Sequence, residues 1–185
     1  MTSTASFSVH PTPIGRALVV VTDEGLARLD VLDDGAEGAD GADGAVDAAL
    51  AAATLALHTV PVHDPRATSA VTAQLDEYFA GARRGFDLAL DLRGAAGFGR
   101  AALEAIRAIP YGETASYAEV AIAAGSPRAH RAVGTVCAHT PISIVVPAHR
   151  VVRADGSIGE YGGHPERKRF LLDLEERVVQ RSAAV

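Results

Sequence analysis

Apolar positions in the first half of the chain fall mostly in short strand-like runs, and in the second half mostly at helical spacing. Phe7-Ser8-Val9-His10 and the segment Ala17 to Val21, separated by a turn at Pro13 to Gly15, read as two strands. Thr22-Asp23-Glu24-Gly25 is turn chemistry, and the alternation from Leu26 to Leu32 supplies a partner strand, so a hairpin with one buried face is predicted. Alanine-rich Ala45 to Leu57 reads as a helix, and Val71 to Phe79 carries apolar residues at helical spacing until Gly81 stops it. Phe86 to Leu92 alternates again and predicts a further strand. Arg93-Gly94-Ala95-Ala96-Gly97 has the composition of a linker and places a domain boundary between 1–95 and 96–185.

Beyond the linker the pattern is mainly helical. Phe98 to Ile109 is a helix that Pro110 ends, because the residue before a proline disfavours helical angles. Tyr117 to Ala124 is a second. Gly125-Ser126-Pro127 then offers a turn, an N-cap and a proline at the first helical position, starting a third helix through His139. Two short helices around a glycine turn suit a helix-turn-helix, and the spacing suits an ordinary helical hairpin equally well. Ala129, Ala132, Gly134 and Ala138 give the third helix a small-residue surface beside Arg128 and Arg131, which permits close approach to a polyanion or tight packing on a neighbour. The run Ile142 to Val152 is strand-like and ends on a histidine and an arginine, the composition of a buried site. A last helix, Glu166 to Gln180, turns Phe170, Leu171, Leu174 and Val178 to the core.

With 185 residues, 48% of them hydrophobic, the chain can bury one sizeable core or two small ones. The net charge of -6 argues against nucleic acid until it is divided. Residues 1–95 carry six basic and 14 acidic groups, whereas residues 96–185 carry eleven and nine, so only the second half is suited to face phosphates. No apolar run reaches the length of a bilayer, and the start lacks the features of a secretion signal, so a cytoplasmic protein without membrane contact is expected. Cys137, the single cysteine, excludes an internal disulfide, and the seven histidines show no metal-ligand spacing; no metal or cofactor is expected. Asp33 to Asp47, with repeated Gly-Ala-Asp units, predicts a mobile acidic surface loop, and it lacks the terminal glutamate of a calcium loop.

The strongest blocks are Ile109 to Thr114 with Ser116-Tyr117, Arg131-Ala132-Val133-Gly134, Val146-Pro147-Ala148-His149-Arg150-Val151-Val152 and Tyr161-Gly162-Gly163. In this order, and with Gln74 to Gly81 upstream, the chain resembles the O6-alkylguanine-DNA alkyltransferases over most of its length. The resemblance implies an α+β protein with an N-terminal α/β domain on a small antiparallel sheet and a mainly helical C-terminal domain with a winged helix-turn-helix. It implies a monomer that binds double-stranded DNA through the minor groove and everts O6-alkylguanine into a pocket. Arg128, Arg131, Ala132, Gly134 and Tyr117 match the DNA-binding positions, Arg131 filling the vacated stack and Tyr117 helping to rotate the nucleotide. Tyr117, Pro147, Ala148, Val151, Tyr161, Gly162 and Gly163 match the base pocket.

In that family a thiolate takes the alkyl group, a histidine deprotonates it through water, and a glutamate orients the histidine. His149 and Glu175 match the last two; Ala148 stands at the acceptor position, where a methyl group has neither lone pair nor ionisable proton. Cys137 lies in the third helix, away from the acceptor position of the family, and reads as a structural thiol. Either the chain is an alkyltransferase-like protein that binds the lesion without repairing it and hands it to other repair proteins, or it is a suicide methyltransferase whose cysteine was replaced. Thr140 in place of a bracing asparagine, with His139, Gly99 and Leu103, departs further from the family pattern and favours natural divergence. A helix-turn-helix regulator with a degenerate pocket is the third reading.

Overall fold

The structure is a computed structural model that describes residues 4–33, 39–159 and 161–183. It divides into two compact units, Met1–Gly94 and Ala95–Val185. In the first, β1 (Ala5–Thr12), β2 (Gly15–Thr22) and β3 (Gly25–Val31) form an antiparallel meander, and the short β4 (Val62–His63) pairs parallel to β1, giving the order β3-β2-β1-β4. The sheet is covered on both faces, and this explains why the middle strand reads as an unbroken apolar run. Leu18 and Val20 pack with Ala5, Phe7 and Val9 against Ala45, Val46, Ala49, Leu50, Ala53 and Leu57 of α1 (Ala39–Leu57). On the opposite face, Ser8 shares a buried 2.6 Å hydrogen bond with Thr68, and His10 bonds Asp76 at 2.8 Å, which docks α2 (Ser69–Phe79). Val71, Leu75 and Tyr78 are the buried positions of that helix, one stripe at helical spacing.

Two expectations for this unit change. The acidic loop from Asp33 to Asp47 is shorter, because α1 already begins at Ala39; the part at 34–38 lies outside the described residues. Phe86 to Leu92 is not a strand and touches the sheet at one bridge, Leu90 with Leu26. Its alternation is present, but the Gln74 side-chain amide takes the place of a neighbouring strand, donating to Asp87 O at 3.1 Å and accepting from Asp87 N at 2.9 Å.

The second unit contains α3 (Gly97–Arg107), the two-residue β5 (Ala115–Ser116), α4 (Tyr117–Ala123), α5 (His130–Ala138), a 3-10 turn at Ala148–Arg150, β6 (Val151–Val152) and α6 (Pro165–Ala183). β5 and β6 pair in parallel. The third helix begins later than its proline suggests. Ala129 N donates to Ser126 O at 2.9 Å, so Pro127 and Arg128 occupy the corners of a turn, where proline presets the backbone angle, and α5 starts at His130. Of the run Ile142 to Val152, only its end, Val151–Val152, is strand. Val146 N donates to Ile142 O at 2.9 Å, and Ile144 adopts φ 70°, a left-handed angle that costs a branched residue roughly 1–3 kcal/mol. The fully buried Ile142 and Val146 hold this bend in place, and it delivers Pro147 and Ala148 to the head of the 3-10 turn.

Candidate functional site

Helix α6 buries Lys168, Leu171, Leu174, Glu175 and Val178 along one stripe, so a lysine and a glutamate enter the core with the aliphatic residues. Glu175 is fully buried, and its carboxylate accepts hydrogen bonds from three residues. His149 Nε2 donates to Oε1 at 2.9 Å, Arg150 Nε and Nη2 donate at 3.0 and 2.9 Å, and the Gly112 amide donates to Oε2 at 2.9 Å. Arg150 spends a further donor on Ile109 O at 2.7 Å and lies 5.5 Å from the centre of the Tyr111 ring. Three segments distant in sequence, at 109–112, 149–150 and 175, are thereby joined around one carboxylate.

Burial by itself would push the Glu175 carboxyl upward; the hydrogen bonds from His149 and Arg150, together with their charges, outweigh it and hold the group at about 2. An ionised carboxylate can only accept, so His149 carries its proton on Nε2 and keeps Nδ1 as an acceptor. Burial lowers the His149 pKa below 6.5 against the pull of Glu175, so the ring is neutral at pH 7. The pair has the form of a general base with its orienting group.

Ala148 precedes His149 and is 1% exposed, with Pro147 and Val151 buried on either side. Two hydroxyls, Thr140 Oγ1 and Tyr161 Oη, are buried and make no hydrogen bond with any described residue. Thr140 therefore supplies no brace to the bend it precedes. Gly162 and Gly163 are exposed at φ 56° and 84°, angles that glycine adopts freely. Cys137 is half-buried; burial raises its thiol to about 11 despite the charge of Lys168, so it is protonated and a weak nucleophile at pH 7.

The predicted DNA-binding residues lie on the exterior. Arg128 is in the turn before α5, Arg131 and Ala132 are exposed in its first turn, and Gly134 is half-buried one turn later. Tyr117 opens α4, and its ring comes to 4.0 Å from the point where a Cβ on Gly134 would stand. A capping box sets the helix start: Ser116 Oγ accepts from Glu119 N, and the Glu119 carboxylate accepts from Ser116 N at 2.7 Å. The Ser-x-x-Glu spacing at 116–119 carries this signal in the sequence. Lys168, which donates to Val151 O at 2.5 Å while fully buried, is a further contributor that its polar surroundings in the sequence did not reveal. Among the described residues no three His, Cys, Asp or Glu side chains come together as metal ligands, and no helix is long and apolar enough to cross a membrane.

Comparison with known proteins agrees with this architecture. Residues 6–92 match the ribonuclease-like domain of 6-O-methylguanine DNA methyltransferase, and residues 97–177 match its DNA-binding domain. A methylated-DNA–protein-cysteine methyltransferase of Methanosarcina barkeri is 34% identical over 92% of this chain and 96% of its own length. One from Mycolicibacterium paratuberculosis is 51% identical over 62% of the chain and 68% of its own length. The chain belongs to the methylated-DNA–protein-cysteine methyltransferase family. Among solved structures, a Mycobacterium tuberculosis member of the methyltransferase family, in complex with DNA, aligns with a TM-score of 0.76 at 36% identity, covering 94% of both chains. Against that family's name, which specifies a protein cysteine, the present chain has its sole cysteine at Cys137 on α5.

Proposed function

We propose that this protein binds O6-alkylguanine in duplex DNA, everts the damaged nucleotide and holds it without accepting the alkyl group, presenting the lesion to other repair proteins. One observation carries the reading: the position beside His149 is a buried methyl group, although the His149–Glu175 pair behind it is complete. A base is in place with no thiol to deprotonate. The protonated state of Cys137 agrees with the absence of transfer.

Several features support the binding half of the reading. α4 and α5 form the helix-turn-helix, with α5 as the helix that meets the minor groove and Arg131 as the cation that fills the vacated stack. Everting a base costs a few kcal/mol, part of which a planar cation in the gap recovers. The buried hydroxyl of Tyr161, a residue matched to the base pocket, costs about 1–3 kcal/mol while it makes no hydrogen bond with a described residue, and a purine edge would offer it a partner. Ala148, smaller than cysteine, leaves room for adducts bulkier than methyl.

The test is binding to matched duplexes with and without O6-methylguanine, with the protein mass followed in parallel. Preference for the lesion and an unchanged mass are expected. A methylated protein would overturn the non-transfer claim, and indifference to the lesion would favour a helix-turn-helix regulator. The completeness of the His149–Glu175 pair also favours a second reading, a suicide methyltransferase whose cysteine was replaced, and codon 148 of the natural gene separates the two. Ala148→Cys is expected to restore alkyl transfer in either case, read as stoichiometric methylation at position 148; failure would mean that the pocket no longer aligns the lesion.

A further inference from the structure

Tyr117 meets a second glycine. Its hydroxyl is 3.3 Å from where a Cβ on Gly159 would stand, and that same point is 3.7 Å from both Cγ and Nε of Arg153. The phenol and the guanidinium thus converge over bare backbone, and at φ 65° Gly159 occupies a conformation in which any side chain would be strained as well as crowded. Arg131 lies one helical turn before Gly134, the residue that receives the Tyr117 ring, so the two share a face of α5. Arg131, Tyr117 and Arg153 therefore form a row running from α5 past the start of α4 to the segment after β6.

That segment is a braced turn. Arg153 N donates to Ser157 O and Gly156 N donates to Arg153 O, both at 2.9 Å, while the Asp155 carboxylate accepts from Ser157 N at 2.9 Å. The Asp155 carboxyl is held low by its hydrogen bonds to Ser157 first and by the charge of Arg153 last. Arg153 is exposed, and its side chain makes no hydrogen bond or ion pair with any described residue. A hydrogen-bonded turn that presents an exposed guanidinium beside a phenol hydroxyl offers charge and several donors to one anionic group.

We propose that Arg153 binds a backbone phosphodiester of the DNA beside the Tyr117 hydroxyl, and so extends the interface from α5 to this turn. The inference rests on the DNA-binding reading above. Guanidinium and phosphate match in geometry and charge, and the contact carries no sequence or lesion information of its own.

The experiment measures affinity of Arg153→Ala, Arg153→Lys and the unaltered protein for lesion and undamaged duplexes across a salt series. Losing one phosphate contact should reduce the slope of log affinity against log salt by about 0.9 and weaken binding roughly fivefold at 0.15 M salt. The loss should be equal for both duplexes, so lesion preference is unchanged, and Arg153→Lys should retain most of the affinity. Because Arg153 is exposed, an unaltered melting temperature is expected and controls for misfolding. An unchanged slope and affinity in Arg153→Ala, with lesion preference present in the unaltered protein, overturns this proposal alone. A reduced slope in a protein that ignores the lesion overturns the damage-recognition reading and leaves the phosphate contact standing. No duplex binding at all by the unaltered protein overturns both.

Discussion

Two arginine environments in the C-terminal unit differ in almost every physical respect. Arg150 is buried and shares its donors between Glu175 and Ile109 O; Arg128, Arg131 and Arg153 are exposed, and their side chains make no hydrogen bond or ion pair with any described residue. A buried guanidinium without partners would cost several kcal/mol, so its hydrogen bonds serve to make burial tolerable and to fix the segments that supply them. An exposed one has water as its partner and exchanges it readily for a phosphate. The first arrangement organises the fold around the site, and the second leaves charge available for a ligand. The Glu175 carboxylate also joins the turn at Gly112 to α6, a structural task independent of chemistry at position 148.

The most damaging way to test this division is Glu175→Ala, which strands Arg150 and His149 in the core. A loss of about 3–5 kcal/mol is expected, measured by urea unfolding, against little change for removal of any exposed arginine. If Glu175→Ala unfolded at the same urea concentration as the unaltered protein, the carboxylate would not be the junction described.

A smaller effect is expected from acid. The Glu175 carboxyl titrates at about 2 in the folded protein against 4.5 in the free group, so its contribution is fully present above pH 4.5 and is lost as pH falls toward 2. The total available is roughly 3 kcal/mol. His149 acts in the same direction: its folded pKa lies below 6.5, so the unfolded chain takes up the proton first and stability begins to fall as pH drops below 6.5. Glu175→Gln should therefore be less stable at pH 7 and show a flatter decline between pH 4.5 and 2. An equally steep decline in that variant would assign the acid sensitivity to other carboxylates.

The same division governs what was legible in the sequence. The meander, α1, α2 and α6 follow from periodicity because each carries an apolar stripe, whatever polar groups join it, and Leu18 and Val20 need only a face. Polar groups that replace regular pairing are invisible to periodicity. The Gln74 amide took the strand neighbour's place at Asp87, and the bend held by Ile142, Ile144 and Val146 broke an apolar run that reads as a strand. Glu175, on composition alone an ordinary solvated residue of α6, is legible only through the family resemblance. Lys168 is not legible at all, because a single lysine between Arg167 and Arg169 gives no sign of being the buried one.

The smallest effect sharpens the comparison by using polar contacts that are satisfied but outside the core. Ser116 and Glu119 exchange side-chain hydrogen bonds at the start of α4, as many as some members of the Glu175 cluster make, yet in an environment where water can replace them. Ser116→Ala removes the cap from Glu119 N without stranding a buried charge, so a cost of about 1 kcal/mol is expected. Because α4 also positions the Tyr117 ring against Gly134, fraying of its first turn should weaken binding to the lesion duplex more than to the undamaged one. Ser116→Asp, which restores an acceptor at the same position, should recover both stability and preference; recovery of stability alone would detach the cap from the orientation of Tyr117.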